Sequence, residues 1–203
     1  MQVTHLDLKG LALIDLTLHQ DSRGFFVERF QRERFREQGL PSNFMQDNHS
    51  RSAPRVLRGL HYQIQPAQAK LVGVIRGRIW DVCVDIRHDS PTFGQSIGTE
   101  LSDQNGRLLL IPAGFAHGFC VLGDEPADVL YKVDAAYNSA GEGGLHWADP
   151  DLAIDWPICD LIVSARDEWL GSFAEYRKRP IDWKLEILAE KQEPSLPSDR
   201  VLR

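Results

Sequence analysis

An all-β domain is predicted by three features of this 203-residue chain. Short apolar runs recur at close spacing, and Gly, Pro, Asp or Asn breaks each one. Apolar and polar residues alternate within them. Over residues 79–86, Trp80, Val82, Val84 and Ile86 face one way, and Ile79, Asp81, Cys83 and Asp85 the other, which is the period of a strand. Helical periodicity is scarce. Many short strands at this spacing assemble into a sandwich, jelly roll or barrel.

Taken in order, residues 11–18 and 24–30 read as strands, the second after a turn at Asp21-Ser-Arg-Gly24. Residues 31–38 suit a helix, closed by Gly39 and Pro41. Gln46-Asp-Asn-His-Ser50 is polar enough for a loop, and equally suited to bonding a hydroxyl-rich ligand. If residues 58–62 form a strand, Arg58, Leu60 and Tyr62 share one face, and Gly59, His61 and Gln63 the other. Strands follow over 70–76 and 78–86, with Gly77 suited to the tight turn between them. Further strands are expected over 97–101, 108–111, 118–122 and 129–133. Residues 167–178 suit a second helix, with Ser164 three residues before Asp167 and with Trp169, Phe173 and Tyr176 at helical spacing. The charged tail holds Pro194 and Pro197. One domain over 1–180 and a partly mobile extension over 181–203 are therefore expected.

The net charge of -6 argues against nucleic acid or an anionic membrane as the main partner. No stretch approaches the ~20 apolar residues of a membrane span. The polar start, Met1-Gln-Val-Thr-His-Leu-Asp-Leu-Lys9, lacks the apolar core of a signal peptide, and a cytoplasmic location is expected. Cys83, Cys120 and Cys159 are few, distant and odd in number, which fits buried reduced thiols.

Two islands interrupt the apolar pattern. Val56-Leu-Arg-Gly-Leu-His-Tyr-Gln63 sets Arg58 and His61 among β-formers, and Ile111-Pro-Ala-Gly-Phe-Ala-His-Gly-Phe119 sets His117 among glycines and aromatics. Together they suggest a polar site inside an apolar cup. A strand-borne metal site would favour His-x-His, but Gly59 and Gln63 flank His61, so no metal is expected. No Gly-rich phosphate loop is present, so any phosphate must be held by side chains such as Arg23, Arg58, Lys70 and Arg166. Tyr131 and Tyr137 offer two phenols, one a possible acid and one a possible stacking platform.

These pieces, in order, resemble the dTDP-4-dehydrorhamnose 3,5-epimerase family of nucleotide-sugar epimerases. The matching segments are Asp21-Ser-Arg-Gly-Phe-Phe-Val-Glu28, Gln46 to Ser50, Val56 to Gln63, Gln68-Ala-Lys-Leu-Val72, Asp81-Val-Cys-Val-Asp-Ile-Arg87, Ser90-Pro-Thr-Phe-Gly94, Ile111 to Phe119, Tyr131-Lys132 and Trp147-Ala-Asp-Pro150. The resemblance covers roughly residues 5–170. It implies a cupin-type β jelly roll, a homodimer, no metal and no cofactor. The implied substrate is a dTDP-4-keto-6-deoxyhexose, inverted at C3 and C5. By the same resemblance His61 is the general base, Asp167 its carboxylate partner and Tyr131 the general acid on the opposite face of the sugar. Tyr137 would stack on the thymine. Arg23, Glu28, Gln46, Asn48, Arg58, Lys70, His117, Glu142 and Arg166 match substrate-contact positions. His117 and Lys70 are candidates to stabilise an enolate at the C4 oxygen. Ala148 stands where the family usually carries Asn, and Asn138-Ser139 lacks the usual proline. Relatives that invert only C3 or only C5 share these residues, so a mono-epimerase is the alternative within enzymes. An inactive sugar-binding jelly roll is the alternative outside them.

Overall fold

In a computed structural model, residues 1–184 are described. Thirteen strands are present among them: β1 (Gln2–His5), β2 (Ala12–Asp15), β3 (His19–Asp21), β4 (Gly24–Phe26), β5 (Gln46–Ser52), β6 (Leu57–Gln63), β7 (Lys70–Arg76), β8 (Arg78–Asp85), β9 (Ser96–Ser102), β10 (Arg107–Ile111), β11 (Phe115–Val121), β12 (Ala127–Val133) and β13 (Glu142–Gly144). Three short helices accompany them, α1 (Arg32–Glu37), α2 (Ala165–Glu168) and α3 (Phe173–Lys178).

The strands form two facing sheets, in the orders β1-β2-β10-β7-β12-β5 and β13-β6-β11-β8-β9, with β3–β4 as a separate hairpin. Strands β5 to β12 are dealt between the two sheets so that each lies antiparallel to its neighbours. This is the expected all-β, cupin-type jelly roll. The inner faces meet in a core of Val72, Val74, Ile79, Cys83, Leu109, Phe119 and Val129. The outer faces are covered too. Leu60, Val82 and Val84 pack under Leu145, Leu152, Phe173, Tyr176 and Trp183. Ile14, Leu71 and Leu108 pack under Phe35 and Leu40 of the N-terminal part. A strand buried on both faces explains why β7 is continuously apolar between Lys70 and Arg76 rather than alternating.

Several expectations are corrected. Residues 46–50, expected as a loop, belong to β5, which pairs with β12 along its whole length. Its polarity has a positional cause. It is an edge strand, with Gln46, Asn48 and Ser50 on its less exposed face and Asp47, His49 and Arg51 facing out. The helix expected over 167–178 is two helices, because it contains a second start signal. Ser172 caps α3 in a reciprocal capping box with Glu175. The expected strand over 11–18 shortens to β2 and lies between β1 and β10, so it is not an edge. The expected strand over 24–30 shortens to β4, whose Phe25 and Phe26 are 56% and 68% exposed. Cys159 is exposed rather than buried, because it sits in the irregular segment after Pro157 and not in a strand.

Gly77 does turn the chain between β7 and β8, at φ +76, and a side chain there would run into Pro126 O at 2.7 Å. Trp183 is buried and donates its indole N–H to Tyr176 Oη at 3.0 Å, so packed structure continues past residue 180. The rest of the expected extension, 185–203, lies outside the described residues.

Candidate active site

A cavity of about 550 Å³ opens between the two sheets. One wall carries His61 and His117 from β6 and β11, and the other Lys70, Val72, Val129 and Tyr131 from β7 and β12. A smaller lobe of about 280 Å³ shares His61, Lys70 and Tyr131, and adds Gln46, Asn48, Gln63, Tyr137 and Glu142. The polar floor lies on strands whose neighbours are core, so its side chains are set by a rigid scaffold.

His61 is paired. Its Nε2 lies 2.7 Å from Asp167 Oδ1. A carboxylate can only accept, so Nε2 carries the hydrogen and Nδ1 is left as the basic nitrogen. Asp167 is itself fixed. It sits in the first turn of α2, where its backbone N–H is capped by Ser164 Oγ at 3.1 Å. Its second oxygen accepts the Gly59 N–H at 3.3 Å. Burial pushes the imidazole below the ordinary histidine range, against the pull of Asp167, so His61 is neutral at pH 7 and ready to accept a proton.

The β6 strand is not regular. The pairing of β6 with β11 shifts register between His117↔His61 and Phe119↔Arg58. Gly59 makes this possible, with φ +124 and with Gly118 Cα only 2.6 Å from where a Cβ would stand. The shift overturns the expected facing. Arg58 and His61 line the same cavity, although simple alternation puts them on opposite faces. Arg58 is held there by Ser52 Oγ, which accepts its Nε–H at 2.8 Å.

On the opposite wall, burial raises the Tyr131 phenol above its ordinary range, so the hydroxyl keeps its proton at pH 7. Burial lowers the Lys70 ammonium, while Cys83, Glu142 and Asp81 act to keep it charged. His117 is held by a second carboxylate, with Asp81 Oδ2 2.9 Å from its Nε2. Asp81 is fully buried and was not among the residues singled out from the sequence. A carboxylate on the inward face of a core strand is a usable signal for such a partner, since it cannot be left unpaired there.

At the mouth, Glu142 Oε2 accepts the Tyr137 hydroxyl at 2.9 Å and pairs with Arg166 at 2.7 Å. Burial acts to raise the Glu142 carboxyl, but Arg166 and Tyr137 outweigh it and hold it below its ordinary value. Gln63 was also missed as a support. It donates to Ala136 O at 3.0 Å and accepts the Asn138 N–H at 2.9 Å, which pins the loop bearing Tyr137.

Eleven expected site residues therefore gather around one cavity: His61, Tyr131, Asp167, Gln46, Asn48, Arg58, Lys70, His117, Tyr137, Glu142 and Arg166. Arg23 and Glu28 do not join them within this chain. Arg23 stands on the exposed hairpin turn against Asp21, and Glu28 pairs with Arg34 beside a separate small cavity. Among the described residues, no group of three His, Cys, Asp or Glu side chains is placed to hold a metal ion.

The family model for dTDP-4-dehydrorhamnose 3,5-epimerase matches residues 5–175. The dTDP-4-dehydrorhamnose 3,5-epimerase of Pseudomonas aeruginosa is 48% identical over 177 residues, 86% of this chain and 97% of that one. The dTDP-4-dehydrorhamnose 3-epimerase of Streptomyces niveus is 39% identical over 179 residues, 87% of this chain and 86% of that one. A crystal structure of the dTDP-6-deoxy-D-glucose-3,5-epimerase of Legionella pneumophila, in complex with dTDP-4-keto-L-rhamnose, superposes with a TM-score of 0.81 at 46% identity, covering 84% of this chain and 92% of that one. With a family model over most of the chain, and with relatives and structures at this identity and coverage, the chain belongs to the dTDP-4-dehydrorhamnose 3,5-epimerase family.

Proposed function

We propose that the protein inverts C3 and C5 of dTDP-4-dehydro-6-deoxy-D-glucose to give dTDP-4-dehydro-L-rhamnose, without metal or cofactor. The observation that carries this reading is the placement of a carboxylate-backed neutral base and a protonated phenol on opposite walls of one cavity. Epimerisation takes a proton from one face of a carbon and returns one to the other. A single group cannot do both without turning the sugar over.

In this reading His61 removes the proton next to the C4 ketone, and Asp167 stabilises the imidazolium that forms. Such a carbon acid is far too weak for unaided removal by imidazole. The negative charge moves to the C4 oxygen, so cationic and hydrogen-bonding groups must face it. Lys70 and His117 fill that role, in a site where burial strengthens the interaction. Tyr131 then protonates the other face. Tyr137 supplies an aromatic surface for the base of the nucleotide, and Arg58 and Arg166 supply charge for its diphosphate.

The test is incubation with dTDP-4-keto-6-deoxyglucose in deuterated water containing EDTA, read by NMR at C3 and C5. Label at both carbons is expected. Label at one identifies a mono-epimerase, as the 39% identical 3-epimerase of Streptomyces niveus makes a relevant comparison. Label at neither identifies a binding protein. Exchange abolished by EDTA and restored by a divalent metal overturns the metal-free reading.

We also propose a homodimer in the cytoplasm. No helix among the described residues is long and apolar enough to cross a membrane. The β3–β4 hairpin exposes Phe25 and Phe26, and it keeps Arg23 away from its own cavity. A second copy receiving this hairpin would cover the aromatics and bring expected substrate contacts to a cavity. Light scattering at micromolar concentration is expected to give twice the 23.0 kDa chain mass. A monomeric mass refutes the dimer.

A further inference from the structure

We propose that Glu142 is a positioning residue that holds Arg166 in an ion pair at the cavity and yields it to the diphosphate when the nucleotide enters. The proposal rests on the nucleotide-sugar reading above, and it reassigns Glu142 from a substrate contact to a competitor of the substrate.

Glu142 begins β13, which is paired to β6 at Glu142↔Gln63. Arg166 is on α2, next to the Asp167 that backs the base. The 2.7 Å ion pair therefore ties the edge of one sheet to the short helix at the cavity mouth. Its two ends differ. The Arg166 side chain is 55% exposed and free to swing on its long stem, whereas Glu142 is 14% exposed on a strand. A diphosphate offers the guanidinium the same planar, two-oxygen recognition with more negative charge, so it can take Arg166 over. Losing Arg166 does not strand the carboxylate, because the same oxygen, Oε2, also accepts the Tyr137 hydroxyl at 2.9 Å. Tyr137 thus stays anchored to the strand while Arg166 moves. The exchange leaves the aromatic platform in place and transfers only the charge.

This assignment has a sign that a direct substrate contact does not have. Deleting a contact weakens binding, whereas deleting a competitor strengthens it. Glu142→Gln keeps an acceptor for Tyr137 but removes the charge that holds Arg166. Binding of dTDP, measured by calorimetry, is expected to tighten roughly two- to fivefold, the range for releasing a solvent-screened ion pair. In an Arg166→Gln background the same change is expected to give no tightening, because the competed group is gone. If Glu142→Gln does not fold, Glu142→Ala is compared with its parent in a Tyr137→Phe background, where no hydroxyl depends on the carboxylate, and the same sign is expected. Weaker or unchanged dTDP binding in the single variant overturns the proposal, as does tightening that persists without Arg166. Those outcomes leave the functional reading intact. A wild-type protein that does not bind dTDP at all overturns the functional reading and the proposal with it.

Discussion

His61→Ala is expected to lower turnover by about 10²–10⁴-fold, while dTDP binding stays close to wild type. The imidazole has one nitrogen fixed by a carboxylate and a neutral, basic nitrogen to spare. The groups expected to bind the nucleotide, Arg58, Tyr137 and Arg166, do not hydrogen-bond to it. The loss should therefore appear in kcat rather than in nucleotide affinity. Asp167→Asn should cost less. It keeps a side chain of the same shape in the capped first turn of α2, and it weakens the orientation and charge of the base without deleting it. The pH profile follows from the direction of the His61 shift. The active form is neutral, and burial holds the pKa below about 6.5, so the acid limb of kcat/KM should lie below that value. Near-normal turnover in His61→Ala would remove this residue from the mechanism.

The parts of this site that were legible in the sequence share one property. They sit where the local pattern is broken by a residue type that the apolar context does not explain. His61 and His117 stand out among β-formers and glycines, and the ordered motifs around them carry the family resemblance. Strands with two apolar neighbours were legible as well: β7 runs over the same 70–76 as its apolar stretch. What was not legible depends on contacts between distant segments. Gln46 to Ser52 has no apolar residue, so nothing in its own pattern marks it as a strand, and only pairing with β12 makes it one. The side of β6 on which Arg58 falls is decided by the register shift against β11 at Gly59, which a period of two cannot anticipate. Asp81 became a site residue only when β8 was laid beside β11 and its carboxylate met His117. Arg23 and Glu28 match the family's motifs and yet lie outside the cavity of their own chain, because a motif names residues and does not say where the fold carries them.

Tyr131→Phe should separate the two halves of the reaction. The substitution keeps the ring, which packs against the inter-sheet core, and deletes only the hydroxyl. His61, Asp167, Lys70 and His117 remain, so the proton next to the ketone can still be removed and the enolate still stabilised. With the Tyr131 hydroxyl gone and Lys70 committed to the C4 oxygen, the enolate is expected to be reprotonated from the β6 wall, by the imidazolium that took the proton. The expected result is slow exchange of solvent deuterium with retained configuration, and little inverted product. NMR of the recovered sugar reads both at once, since exchange and inversion are separate signals at the same carbon. Inversion at the wild-type rate would show that another group serves as the acid, with Tyr137 the nearest phenol by sequence and also at this cavity. Loss of exchange together with inversion would place Tyr131 among the groups that stabilise the enolate. That outcome would move the division of labour between the two walls: the β6 side would still take the proton, but the phenol would answer the charge at C4 rather than the vacancy at the carbon.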